Sequence, residues 1–129
     1  MNGTFLGQTL VVGLGGFLGS VARFLLSGLV HRFLPPVFPY GTLVVNVLGC
    51  LAIGYLSGLV QVRSLLGPSQ RLFLLIGVLG GFTTFSTFAY ETLGLAQSSE
   101  FLKAALNIGT HVILGLTAAW LGYLSAQNW

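Results

Sequence analysis

Residues 80–94 read GGFTTFSTFAYETLG. Three glycines, five serine or threonine hydroxyls, three phenylalanines, a tyrosine and a carboxylate share these fifteen positions. The stretch lies inside an apolar run long enough to cross a bilayer, with Gly80-Gly81 near its centre. Non-helical backbone at that depth is tolerated only where it is buried in protein or lines a cavity. The reading is therefore a helix broken near its middle, with Thr83 or Thr84 capping the half that restarts. Such a break exposes carbonyls from the first half, which suit a small hard cation. It also exposes N–H groups at the start of the second half, which suit an anion.

The rest of the chain fits that setting. Of 129 residues, 54% are hydrophobic and only 5% charged, with a mean hydropathy of +0.92. Soluble domains carry about a quarter charged residues. About 20 apolar residues span the hydrocarbon core, and four spans are expected: Thr9–Val30, Tyr40–Val62, Leu72–Leu95 and Ala104–Ala126. The connections HRFLPPVFP, RSLLGPSQR and AQSSEFLK hold the four prolines and most of the charges. The continuous apolar runs lack the alternation of a membrane barrel. The expected fold is all-α integral membrane, one four-helix domain over residues 1–129 with the third helix broken near its centre. Met1–Thr9 has no lysine or arginine, so the first span is expected to remain as a helix and not to act as a signal peptide. A net charge of +3 is dispersed over loops and one helix, with no basic patch and no nucleic-acid module. The single cysteine, Cys50, excludes an intrachain disulfide.

Charge does not choose an orientation. Arg63 and Arg71 fall on one side of the four spans, Arg32 and Lys103 on the other, and Arg23 lies within the first helix toward the Arg32 end. The positive-inside rule needs an excess on one face. Two copies inserted in opposite senses and paired as an antiparallel dimer would reproduce the inverted-repeat architecture of many transporters. Gly15 with Gly19 and Gly54 with Gly58 form small-xxx-small pairs suited to close helix packing.

Ionisable or amide side chains within a membrane mark function by default. Here they include Arg23, Asn46, Glu91 and His111. Arg23 either snorkels to the interface or faces a wet vestibule that attracts anions. Asn46 either glues helices or offers N–H donors to an anion. At helical spacing, Phe85 and Phe88 form one stripe, beside hydroxyl stripes of Thr84, Thr87 and Glu91 and of Thr83, Ser86 and Thr87. Phenyl rings have a positive edge, so two presented edge-on favour a partly dehydrated anion. The competing reading is phenylalanines as packing and hydroxyls bonded one turn back.

GGFTTFSTFAYE, together with GTLVVNVLG at 41–49 and GSVARFLLS at 19–27, resembles the Fluc fluoride channel family, also called CrcB. The resemblance covers essentially the whole chain. It implies a multi-pass protein of the plasma membrane, an antiparallel dual-topology homodimer with two pores that export fluoride passively. By resemblance, Phe85 and Phe88 match the pore phenylalanines, Asn46 the pore asparagine, Arg23 the vestibule arginine, Ser86 and Thr87 the polar-track hydroxyls, and Glu91 the glutamate at the pore end. Thr84 belongs with this pore set, and Asn107 falls where some relatives carry a polar-track tyrosine. Gly80 and Thr83 match positions whose backbone carbonyls hold a structural sodium at the dimer axis. His111 is read by default as a helix-gluing histidine. The partners implied are fluoride, sodium, lipid and a second copy of the chain.

Passive export is energetically sufficient: one charge crossing 100 mV is worth about 2.3 kcal/mol, roughly a 50-fold gradient. A small dual-topology proton-coupled antiporter is the nearest alternative, but the first span has no acid. An enzyme is not expected. Ser86, His111 and Glu91 can be drawn as a triad, yet there is no G-x-S-x-G elbow and no H-E-x-x-H motif.

Overall fold

A computed structural model of the chain describes residues 4–128, and among these every regular element is helical. Helix α1, Phe5–Phe33, starts at Thr4, whose Oγ1 accepts the Gly7 N–H at 3.3 Å. It ends where Pro35 and Pro36 remove backbone donors. Helix α2, Tyr40–Arg63, follows Pro39 and closes on Ser64 in the left-handed region at φ 52.

The third span is composite. Helix α3 covers residues 68–82 as an α-helical turn Pro68–Arg71, a π-helical section Leu72–Val78 and a last α-helical turn Leu79–Phe82. It begins at Pro68, ahead of the expected Leu72, because proline costs nothing in a first turn, where its missing N–H has no intrahelical role. The Gln70 side chain accepts the Gly67 N–H at 2.8 Å. After two extended residues, helix α4, Phe85–Gln97, completes the span. Helix α5, Phe101–Gln127, is the fourth. The four units Phe5–Phe33, Tyr40–Arg63, Pro68–Gln97 and Phe101–Gln127 are each long and apolar enough to cross a membrane.

Helix α1 packs on α3, and α2 on α5. A methyl group on Gly19 would collide with the Val78 carbonyl, and one on Gly54 with the Ala119 carbonyl. Both glycines therefore hold backbones at contact, which is how helices associate where lipid removes the hydrophobic drive. Gly122 returns the contact from α5 to the Leu51 carbonyl of α2. The fully or nearly buried apolar side chains are small in number and mostly small in size, Val45, Leu79, Ala104, Ala118 and Ala126. Large ones such as Phe17, Phe24 and Trp120 face outward.

The break sits two residues beyond the glycine pair expected to cause it. Gly80 and Gly81 are still helical, and a Cβ on Gly81 would strike the Gly16 carbonyl. Gly81 thus serves contact between α1 and α3, while the chain leaves the helix at Thr83 and Thr84.

Candidate functional site

The break is built from threonines and closed by an asparagine. Thr83 (φ −82, ψ 159) and Thr84 (φ −152, ψ 116) are extended. The Thr83 N–H still reaches the Leu79 carbonyl at 3.0 Å. The Thr84 N–H, which an unbroken helix would aim at Gly80, donates instead to Asn46 Oδ1 at 2.8 Å. Asn46 Nδ2 in turn donates to the Thr84 carbonyl at 3.0 Å. One side chain of α2 thereby satisfies both the N–H and the C=O of a residue that has left the ladder, as a buried backbone requires. Thr84 itself is 8% exposed.

Thr84 also caps α4. Its Oγ1 accepts the Thr87 N–H at 3.2 Å and lies 3.0 Å from Thr87 Oγ1 and 3.4 Å from Ser86 Oγ. With the Thr84 proton given to Thr87, the Thr87 hydroxyl keeps its own proton to donate elsewhere. The two hydroxyl stripes fare differently. Thr83 precedes the break, so its spacing to Ser86 and Thr87 is not helical, and its Oγ1 turns back to the Leu79 carbonyl at 2.9 Å. Ser86 and Thr87 each bond to Thr84 Oγ1.

Gly80 and Thr83 are two of the residues whose carbonyls lose their helical donors at the break. The Gly80 carbonyl loses the Thr84 N–H to Asn46, and the Thr83 carbonyl loses the Thr87 N–H to Thr84 Oγ1. Arg23 Nη1 from α1 donates to the Thr83 carbonyl at 3.3 Å. A carbonyl oxygen has two lone pairs, so both oxygens retain capacity for a hard cation.

Thr84 walls two cavities. One, of about 420 Å³, is lined by Asn46, Cys50, Gly80, Thr83, Phe85 and Phe88 among others. The other, of about 400 Å³, is the more polar of the two and is lined by Ser20, Arg23, Ser27, Thr42, Thr84 and Thr87 among others. Phe85 and Phe88 have ring centroids 5.4 Å apart at 48°. Phe85 is 79% exposed within a single chain, whereas Phe88 is half-buried. Glu91 is one helical turn beyond Phe88, and its Oε1 accepts the Thr42 hydroxyl at 2.7 Å while Oε2 is buried without a partner. Glu91 and His31 line a third cavity of about 310 Å³.

Asn107 on α5 is fully buried and stands apart from the hydroxyl cluster. Its Nδ2 donates to Thr92 Oγ1 at 2.9 Å, and Thr92 Oγ1 donates to the Phe88 carbonyl at 2.7 Å. Sequence reasoning missed Thr42 and Thr92. Thr42 lies one turn before Asn46 on the same face of α2, which was the available signal; Thr92 lies one turn after Phe88.

Residues 10–123 match the family described as CrcB-like protein, Camphor Resistance (CrcB). The chain is 50% identical over 115 residues to a fluoride-specific ion channel FluC of Nitratidesulfovibrio vulgaris, covering 89% of this chain and 93% of that one. It is 47% identical over 119 residues to the FluC of Opitutus terrae, covering 91% and 90%. With the FluC of Campylobacter jejuni the identity is 50% over 119 residues, covering 92% and 97%.

Proposed function

The chain belongs to the CrcB-like protein family, and from that premise we propose that it is a fluoride-specific ion channel through which fluoride leaves the cell passively. It is a multi-pass protein of the cell membrane. The relatives' printed function and the absence of an acid from α1 both speak against the proton-coupled antiporter. A channel works by lining a path, and no step of bond chemistry is assigned to Ser86, His111 or Glu91.

The observation that supports the reading most is the backbone of Thr84, held outside the helix by Asn46 between an aromatic-lined cavity and a more polar one. An anion that sheds water needs donors in its place. Arg23 uses one N–H on Thr83 and keeps others for the polar cavity. Asn46 retains its second Nδ2–H, and Thr87 its hydroxyl proton. The phenyl edges of Phe85 and Phe88 supply a weakly hydrating wall that rewards a small, poorly polarisable anion. Ser86 extends the donor row, and Glu91 stands at its end, tied to Thr42.

The functional unit we propose is an antiparallel homodimer of dual topology, with two pores. The exposed Phe85 and the near-even distribution of basic residues support it. Gly80 and Thr83 would hold a structural sodium through their released carbonyls, and the ion would neutralise oxygen dipoles gathered at the break. Asn107 joins the path only through Thr92 and Phe88.

The test is anion efflux from liposomes containing the purified protein, read with fluoride- and chloride-selective electrodes under potassium/valinomycin counterflux. Rapid fluoride release with chloride retained is expected. Equal release of both ions, or release that stops without a proton gradient, would overturn the proposal.

A further inference from the structure

His111 sits on α5, half-buried, with its ring against that of Phe88 at a centroid distance of 4.4 Å and 45° between planes. Its Nδ1 is 2.9 Å from the Asn107 carbonyl. A carbonyl only accepts, so Nδ1 carries the proton and a neutral ring leaves Nε2 as an acceptor. That Nε2 is buried and has no partner. That hydrogen bond stays within α5, one turn back, and the Thr42 backbone of α2 also lies close to the imidazole. What His111 offers α4 is a close, tilted ring contact, and it offers it to Phe88.

Phe88 is also held from below. Asn107 Nδ2 donates to Thr92 Oγ1, which donates to the Phe88 carbonyl. Asn107 and His111 are one turn apart, and the Asn107 carbonyl is the acceptor that fixes the His111 ring. One short stretch of α5 thus reaches Phe88 twice, at its backbone through Thr92 and at its ring through His111. Phe85 receives no such support and is 79% exposed.

Resting on the fluoride-channel reading, we propose that His111 is a positioning residue that sets the ring plane of Phe88, and with it the edge presented to the passing ion. A phenyl ring turns about its Cβ–Cγ bond over a broad, roughly two-fold torsional profile. Without the imidazole, the Phe88 ring keeps only the exposed Phe85 ring beside it, at 5.4 Å, and offers face and edge alternately. The hydrogen bond to Asn107 orients the imidazole plane, and the imidazole plane limits the phenyl ring. A leucine at 111 would fill the space without supplying a plane. A phenylalanine would supply the plane without the hydrogen bond.

The experiment compares wild type, His111→Leu and His111→Phe in the liposome efflux assay. In parallel, 3-fluorophenylalanine is placed at position 88 of the full chain for ¹⁹F NMR. We expect His111→Leu to lower fluoride flux at least tenfold and His111→Phe to keep at least half of it. The wild-type and His111→Phe spectra should show two resolved resonances from a slowly flipping ring, merging into one in His111→Leu. Flux in His111→Leu within twofold of wild type, or a His111→Phe variant no better than His111→Leu, would overturn the proposal. So would identical spectra for wild type and His111→Leu. If wild-type protein releases no fluoride, the channel reading fails, and the spectra alone decide whether His111 fixes the ring.

Discussion

Asn46 commits the two ends of its amide to the N–H and C=O of a single residue, Thr84, at 2.8 and 3.0 Å. Changing it to aspartate replaces the donor facing the Thr84 carbonyl with a second acceptor. A buried polar group left without its partner costs about 1–3 kcal/mol. Asn46→Asp is therefore expected to lower the thermal midpoint in detergent and to cut fluoride efflux at least tenfold; full efflux would remove Asn46 from the path. Phe88→Ile, by contrast, leaves every backbone bond at the break in place. It should give folded protein with little or no fluoride efflux, and wild-type efflux would show that the ring does not line the path. Arg23, Asn46 and Glu91 stand out in the sequence because charged and amide side chains are costly in lipid. Their partners do not. Nothing in the local pattern links Asn46 to a backbone thirty-eight positions away, since spacing reveals a helix face and not what that face will meet.

At the scale of elements, the third span shows both the reach and the limit of reading a sequence. That it is interrupted near its centre follows from a polar, glycine-containing stretch within an apolar run. The point of interruption does not, because glycine permits a break and equally permits close contact, and Gly81 is taken by contact with Gly16. The threonine that leaves the helix is the one for which α2 offers Asn46. The π-helical section Leu72–Val78 has no signature in its apolar residues. It faces α1 around Gly77, whose Cα lies near Gly15. Capping provides a direct test. Thr84→Val removes the oxygen that accepts the Thr87 N–H, which should destabilise by about 1 kcal/mol; Thr84→Ser keeps it. Efflux is expected to fall in the valine variant and to be near wild type in the serine variant. Equal efflux in both would separate the cap from transport.

For the whole molecule, the basic residues leave orientation almost undecided. Two lysines added to the connection at residues 64–67 should bias insertion one way, since short loops make small charge differences decisive. If transport requires oppositely inserted copies, efflux from membranes expressing only that variant should drop severalfold. It should recover when a variant biased the other way is co-expressed. Efflux unchanged by the lysines, with orientation confirmed by cysteine labelling, would mean that one orientation suffices. The membrane class and the four spans are legible in the chain because bilayer thickness imposes a length on apolar runs. The pairing of α1 with α3 and α2 with α5 rests on particular glycines meeting particular carbonyls. Small-xxx-small spacing announces such contacts without naming the partner.

The Asn46–Thr84 bridge also carries a chronology. The third span alone has no reason to open, since in lipid an unpaired peptide is costlier than a helical one. During biosynthesis it should enter the membrane as an intact rod and part only when the second span arrives with its amide. An isolated peptide of residues 68–97 in micelles should then show the Thr84 N–H protected from exchange and helical contacts running unbroken through 83 and 84. A half-made chain would accordingly be sealed to ions, and conduction would begin only once assembly is complete.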